Sequence, residues 1–235
     1  MKLRVKFSKH GVLRFIGHLD VMRYFQKAIR RAGIDVAYSA GFSPHQIMSF
    51  AAPLGVGLES NGEYMDIEVN SLTSSKKFIE ALNAQMADGI EILEAKLLPE
   101  TAKNAMASVA AARYTVAFRE GYIPVFLTNT VMIDFYSQPE IVVTKQTKKG
   151  ETTFDLKPFL YECTYDEEQN MLCFTVDASS SGNVKPALLL KAVYDRYNAE
   201  FDEYAFLITR EETYLNAGTQ ESVQLKPLGF IGSDY

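Results

Sequence analysis

The residues best suited to acid–base or phosphate chemistry lie in the first 50 positions of this 235-residue chain. All three histidines, His10, His18 and His45, are found there. Imidazole titrates nearest to neutral pH, so His18 and His45 are candidate catalytic residues for proton transfer. His18 stands at a predicted helix start, where backbone N–H groups attract anions, and His45 stands in a predicted turn. The alternative is that both are hydrogen-bonded structural residues.

The same segment is strongly basic. Residues 1–50 hold nine basic and two acidic side chains, which gives them a net charge of +7. Residues 51–235 have a net charge of −12, and the whole chain has a net charge of −5. An uneven charge of this kind is typical of a surface that binds phosphates, although the acidic remainder could instead neutralise it internally. The candidate RNA- or phosphate-binding residues are Arg14, His18, Arg23, Lys27, Arg30, Arg31 and His45.

A basic helix would carry most of these residues. Apolar side chains recur at spacings of three and four from Leu19 to Ile29, which predicts an amphipathic helix with its C-terminal cap at Gly33. The cations of this helix lie off the apolar stripe, and Asp20 with Arg23 is the only local ion pair that the spacing allows. The helix is therefore a better phosphate-binding candidate than the sheet, with a solvated surface as the alternative.

Lys2 to Phe7 alternate between basic and apolar residues, which predicts a half-buried strand with a basic outer face. In a ferredoxin-like sheet this strand neighbours the third, so the basic residues would emerge beside Tyr64, Asp66 and Glu68. This placement favours cross-strand ion pairs, worth roughly a few tenths of a kcal/mol each. The alternative is a sheet surface that binds RNA.

The order of predicted elements indicates an α+β protein built from two tandem ferredoxin-like (βαββαβ) domains, the second with an extra β-hairpin. The first domain covers 1–98 and includes a strand over 90–97, and residues 99–112 form a connector. The second domain covers 113–213, and residues 214–235 form a C-terminal tail. The elements predicted in the second domain are a strand over 114–118, a helix over 129–136, a hairpin of 141–145 and 152–156 about Lys148-Lys149-Gly150, a hairpin of 159–165 and 171–176, a helix from Pro186 and a strand over 204–209.

The cysteine pattern favours neither a metal nor a cofactor. Cys163 and Cys173 are equidistant from the centre of the turn 166–170, so we expect them to face each other as reduced packing residues. The chain has no CxxC or CxxxCxxC motif for an iron–sulfur cluster. A metal site of His18, Asp20, His45 and Glu63 would lack close ligand spacing.

No apolar run reaches membrane-spanning length and no secretory signal is evident, so we expect a cytoplasmic protein.

Five motifs between residues 13 and 67 carry a family resemblance. They are Leu13-Arg14-Phe15-Ile16-Gly17-His18-Leu19-Asp20, Ala28-Ile29-Arg30-Arg31-Ala32-Gly33, Gly41-Phe42-Ser43-Pro44-His45, Ser49-Phe50-Ala51-Ala52-Pro53-Leu54-Gly55-Val56-Gly57 and Glu63-Tyr64-Met65-Asp66-Ile67. Together they resemble the radical-SAM-linked protein family, whose function is unknown, and so does Asp155-Leu156-Lys157-Pro158. The resemblance implies an accessory role beside a cobalamin-binding radical SAM enzyme. The layout is also similar to the RNA-binding proteins of the CRISPR-associated RAMP superfamily, an analogy of architecture alone.

Three functions fit these observations. The leading hypothesis is an accessory module without independent catalytic activity that binds a structured RNA, ribosomal or transfer RNA, and presents it to a radical SAM partner. The second is a metal-independent RNA endonuclease in which His18 or His45 moves protons. The third is a protein-interaction scaffold that does not bind RNA, which the acidic overall charge favours.

Overall fold

The structure is a computed structural model that describes residues 1–147, 150–219 and 221–235. It has mixed α+β secondary structure with mostly antiparallel strand pairing, which confirms the predicted class. The chain forms two compact units, Met1–Ala110 with Arg210–Tyr235, and Ala111–Thr209. Among the described residues, no helix combines the length and the apolar character that crossing a bilayer requires.

The first unit contains all of the predicted site residues. Two helices pack on one face of its sheet, and their apolar stripes form the core with Leu3, Val5 and Phe7. The elements are β1 (Lys2–Lys9), α1 (His18–Arg31), β2 (Met48–Phe50), β3 (Glu59–Glu68), α2 (Ser75–Asn83), β4 (Ile90–Leu97), α3 (Ala105–Ser108), the end of β10 (Phe206–Asn216) and β11 (Leu225–Pro227).

Local signals set the helix ends of this unit. The buried stripe of α1 includes Phe25 and Ile29, as predicted, but begins with Val21, because Leu19 of the predicted stripe is 59% exposed. The chain leaves that helix through Gly33 at φ +66°, a conformation that glycine adopts without a Cβ clash. At the start of α2, the Ser74 side chain accepts a hydrogen bond from the Lys77 N–H.

The sheet of the first unit runs β4, β1, β3, with β1 antiparallel to both neighbours. β2 pairs with the second half of β3, and the end of β10 lies against its first half. A Cβ at Gly62 would stand 2.5 Å from Glu212 Cα, so only glycine allows these two backbones to lie this close. This contact between distant segments explains why Arg210–Tyr235, in which the predicted tail lies, belongs to the first unit.

The three basic residues of β1 lie beside the predicted residues of β3, with Lys2 paired with Glu68, Arg4 with Asp66 and Lys6 with Tyr64. Arg4 forms with Asp66 the kind of cross-strand ion pair that the sequence favours, but this position is not open to solvent, because Arg4 is only 1% exposed. Backbone carbonyls of Lys103 and Leu228 accept hydrogen bonds from its guanidinium, so the connector and the C-terminal segment cover the sheet there. These two segments thus cover the centre of the sheet face that was considered as an RNA-binding surface.

The second unit orders its main strands β5, β9, β8, all antiparallel, beside a separate β6–β7 hairpin. β10 begins next to β5. Lys148 and Lys149 of the predicted hairpin turn lie outside the described residues. The bounds are β5 (Ala111–Phe118), α4 (Asn129–Ser137), β6 (Val142–Thr147), β7 (Gly150–Asp155), β8 (Leu160–Asp166), β9 (Met171–Asp177) and α5 (Pro186–Arg196).

The two cysteines do not face each other directly, which corrects the predicted hairpin register. β8 and β9 pair Cys163 with Phe174, and Thr164 with Cys173. The offset arises because Asp166 pairs with Met171, which leaves a four-residue turn instead of the predicted five. Burial raises the pKa of the Cys163 thiol to about 12, as expected for a packing residue.

Candidate functional site

Helix α1 has two faces of opposite character. His18 lies on the buried side with Val21, Phe25 and Ile29, and its ring packs edge-on against Phe50 with centroids 5.1 Å apart. At 3.6 residues per turn, the four helix cations lie roughly 120–220° around the axis from His18. The structure therefore does not bring His18 together with these cations, although all were predicted to form one site. Their face, called here the outer face of α1, consists of Arg23, Lys27, Arg30 and Arg31.

The outer face of α1 keeps its positive charge. Arg23 reaches Asp20 at 3.4 Å, but both side chains are 65% exposed, and exposed pairs of this kind contribute little. Arg31 donates hydrogen bonds to the backbone carbonyl and the side chain of Gln85, neither of which is charged. Lys27 and Arg30 are exposed and have no hydrogen-bond or ion-pair partner in the part of the chain that the structure describes.

Two cations of β1 are neutralised within the first unit. Arg4 pairs with Asp66 at 2.8 Å, and Lys6 with Glu212 at 2.6 Å. Composition left open whether the acidic remainder compensates the basic segment. Among the described residues, acidic residues of that remainder compensate Arg4 and Lys6 of β1 but not the cations on the outer face of α1.

Arg14 was predicted to contact phosphate, but an acidic residue already holds it. Its guanidinium pairs with Glu59 at 3.0 Å, and its Nε atom is buried without a hydrogen-bond partner. Burial alone would raise the pKa of Glu59, but hydrogen bonds from His10, the Gly11 N–H and Arg14 outweigh it and hold that pKa below its ordinary value. Glu59 thus remains ionised, and Arg14 is a structural partner of this carboxylate.

His45 lies in an exposed turn and takes part in its geometry. The Ser39 Oγ atom is 2.9 Å from His45 Nδ1 and also accepts a hydrogen bond from the His45 N–H at 3.1 Å. Of the four residues considered as metal ligands, only His18 and Glu63 line one cavity, while Asp20 pairs with Arg23. Among the described residues, no cluster of three or more potential metal ligands occurs.

A small cavity lies between β1, the start of α1 and the segment after β2. Its volume is about 20 Å³, and we call it the Lys9 cavity. Arg210 does not line the cavity but contacts its Glu63, donating to the Glu63 carboxylate at 2.9 Å and to the Ala52 carbonyl at 2.8 Å. The lining residues are Phe7, Lys9, His18, Val21, Phe50, Pro53, Leu54 and Glu63.

Lys9 is the residue of this cavity that sequence reasoning missed. It is only 2% exposed, and its side-chain nitrogen has no hydrogen bond or ion pair with any residue that the structure describes. Desolvation lowers its pKa, Glu63 opposes this effect, and the nearby Arg210 adds to it. The signal was present in the sequence, because the alternation of Leu3, Val5 and Phe7 continues to Lys9 and places it on the core face of β1.

A family model described as an uncharacterized protein conserved in bacteria (DUF2344) matches residues 2–186. The match covers most of both units, and it includes every predicted site residue and Lys9. No protein with curated function matches the chain at a significant level.

Proposed function

Since the chain belongs to this uncharacterised bacterial family, its own residues must indicate its function, and we propose that the first unit binds RNA through the outer face of α1. One observation carries the proposal. Arg4 and Lys6 of β1 are paired with acidic residues, whereas Lys27 and Arg30 are exposed without a partner among the described residues.

The geometry of the helix supports phosphate binding. Arg23 and Lys27 are four residues apart, as are Lys27 and Arg31, so these cations are neighbours along one face. A row of cations on a rigid helix can neutralise several phosphates at once. The counterions released from the RNA then favour binding, which makes the affinity steeply dependent on salt.

The proposal includes a radical SAM enzyme as the partner and the cytoplasm as the compartment. The family resemblance of residues 13–67 suggests that the protein presents ribosomal or transfer RNA to a radical SAM enzyme in the cytoplasm. In this view the chain is an accessory module, and its chemistry comes from the partner. The endonuclease alternative would require a histidine near the bound phosphates, but His18 faces the opposite side of α1 and His45 contacts Ser39.

The proposal also interprets each unit as a ferredoxin-like domain. The order β4, β1, β3, β2 in the first unit fits a βαββαβ topology. In the second unit β10, β5, β9 and β8 follow the same order, and the β6–β7 hairpin is the insertion. This topology leaves α1 on the outside of the sheet, where one of its faces is open to a ligand.

The experiment compares the double variant Lys27→Glu/Arg30→Glu with Lys76→Glu/Lys77→Glu. The control reverses two exposed lysines on α2, so both variants change the net charge equally. Binding to total ribosomal and transfer RNA is measured by filter retention from low to high salt. We expect the α1 variant to lose affinity and to reduce the slope of log affinity against log salt by about 2, roughly one for each lost phosphate contact.

The control variant should bind as the wild type does. Absence of retention of the wild type at low salt would contradict RNA binding. An equal loss of affinity in both variants would show that net charge, and not the outer face of α1, determines binding.

A further inference from the structure

Several large apolar side chains are open to solvent around the start of α1. They come from three adjoining segments, which are the 3₁₀ helix before α1, the first turn of α1 and the loop after β2. The Gly57 N–H of that loop donates to the Arg14 carbonyl at 2.8 Å, so the loop lies against the 3₁₀ helix. These side chains, called here the apolar group, are each 59–79% exposed, and they are Val12, Phe15, Leu19 and Val56. An exposed apolar set of this kind indicates a binding surface.

The apolar group adjoins the outer face of α1. Leu19 stands four residues before Arg23, and residues at this spacing are neighbours on a helix. By the helical period, Leu19 lies about 40° from Arg23 and about 20° from Arg30 around the axis. The surface therefore changes from apolar side chains to the row of cations within one helical turn. RNA offers matching chemistry, because its bases present apolar faces and its backbone presents phosphates.

Phe15 is the aromatic ring of the apolar group. The guanidinium carbon of Arg14 lies over the ring, 4.9 Å from its centroid, and covers one face. Glu59 holds Arg14 at 3.0 Å, so this ion pair restricts the position of the ring. Phe15 nevertheless remains 60% exposed, which leaves the opposite face accessible. A ring that is positioned in advance loses little conformational freedom when a flat ligand stacks on it.

We propose that the RNA on the outer face of α1 is unpaired where it meets the apolar group, and that one of its bases stacks on the open face of Phe15. This inference rests on the proposed function and specifies the class of RNA. A paired A-form helix keeps its bases stacked on one another and presents mostly phosphates and 2′-hydroxyls, which do not favour contact with Phe15 or Leu19. A loop, a bulge or a single strand exposes bases for stacking while its neighbouring phosphates contact the cations.

The charges beside the apolar group favour RNA over an apolar protein surface. Lys27 and Arg30 are exposed and have no partner among the described residues. An apolar partner seated over this end of α1 would remove water from nearby cations without supplying opposite charges. A polyanion with flat, weakly polar bases satisfies both parts of the surface.

The experiment measures the affinity of the full chain for two probes at several salt concentrations. One probe is a single-stranded oligoribonucleotide of mixed sequence, and the other is the same strand annealed to its complement. We expect the single strand to bind more tightly. Phe15→Ala should lower the affinity for the single strand about fivefold or more, which corresponds to one lost base–aromatic stack. The slope of log affinity against log salt should not change, because no phosphate contact is lost.

Three further variants identify stacking as the cause. Phe15→Tyr keeps an aromatic ring and should retain the affinity, whereas Phe15→Leu keeps an apolar side chain without a ring and should lose affinity as Phe15→Ala does. Phe230→Ala is the matched control, because Phe230 is also 60% exposed and has the Lys226 ammonium 5.6 Å from the centroid of its ring. This control should bind both probes as the wild type does. Far-ultraviolet circular dichroism of each variant controls for loss of folding.

The outcomes separate this inference from the proposed function. Absence of binding to either probe at low salt would overturn the proposed function and this inference with it. Binding of the wild type to the duplex as tightly as to the single strand would overturn this inference alone. So would an unchanged affinity of Phe15→Ala and Phe15→Leu for the single strand, and the apolar group would then fit a protein partner.

Discussion

Arg4 and Lys9 are two buried cations on the same strand, and they lie on opposite faces of the sheet. Arg4 is 1% exposed and Lys9 is 2% exposed, so burial does not distinguish them. Their hydrogen bonds distinguish them, because the Arg4 guanidinium has acceptors from several segments and the Lys9 nitrogen has none among the described residues. The comparison teaches that burial alone does not make a cation a stabilising residue, because the contribution depends on whether its donors are satisfied.

The Arg4 network explains how distant segments join the first unit. The guanidinium binds both carboxylate oxygens of Asp66, at 2.8 and 3.0 Å. It also donates to the carbonyls of Leu228 and Lys103, and Asp66 accepts a further hydrogen bond from the Ala105 N–H. One side chain thus links the sheet, the connector after β4 and the C-terminal segment, and bidentate geometry of this kind requires arginine.

The largest effect should come from breaking the Arg4 network. Arg4→Met leaves Asp66 buried without its counter-ion, so we expect the free energy of unfolding to fall by about 3–5 kcal/mol. Urea denaturation followed by circular dichroism measures this loss. The double variant Arg4→Met/Asp66→Leu removes both charges and should recover much of it, whereas a single variant as stable as the wild type would contradict the network.

Lys9→Met should behave in the opposite way. Methionine has a similar length and lacks a buried polar nitrogen, so the free energy of unfolding should stay within about 1 kcal/mol of the wild type or increase. The same urea titration provides the comparison. A loss as large as that of Arg4→Met would mean that the Lys9 nitrogen has a stabilising partner, contrary to the account.

A smaller effect should appear when the stabilities of the wild type and of Lys9→Met are compared at several pH values. The pKa of Lys9 in the folded state is lowered from 10.5, so at intermediate pH the unfolded chain binds more protons. The wild type should therefore gain stability relative to Lys9→Met as pH rises from the lowered pKa toward 10.5, and lose that gain as pH falls. Urea midpoints at several pH values between 7 and 10 measure the difference. A difference between the two proteins that does not change with pH would argue against a lowered pKa.

The smallest effect on stability should come from the outer face of α1. Lys27 and Arg30 have no partners to lose, so Lys27→Glu/Arg30→Glu should leave the midpoint of thermal unfolding close to that of the wild type. Thermal melts by circular dichroism check this expectation. A clear drop in the midpoint would show that these side chains stabilise the fold, and a loss of RNA affinity could then no longer be assigned to a missing phosphate contact.

Local patterns predicted much of the fold because their signals lie within a few residues of each other. The strand over 90–97 and the placement of the basic residues of β1 beside Tyr64, Asp66 and Glu68 agree with the structure, since both depend on the alternation of side chains along a strand. The contact of Gly62 with Glu212 could not be predicted, because it joins segments 150 residues apart that share no periodic signal. For the same reason, composition could not show which cations Asp66 and Glu212 neutralise.

The candidate site was predicted in part. The cations of the outer face of α1 follow from helix periodicity, and so does the opposite direction of His18, which the sequence interpretation overlooked. Lys9 was counted only as a charge, although it continues the apolar alternation of β1. Arg210 pairs with Glu63 of the same cavity from a distant part of the sequence, so its contribution becomes visible only in the structure.

The contrast between the two cations rests on the charge state of Lys9, which can be measured directly. Protein labelled with ¹³C at the lysine ε-carbon gives a signal for each lysine, and Lys9→Arg identifies the Lys9 signal by its disappearance. We predict that this signal titrates below 10.5, the ordinary value for lysine. Titration of the Lys9 signal at or above 10.5 would show that the ammonium has a compensating partner and would contradict the account.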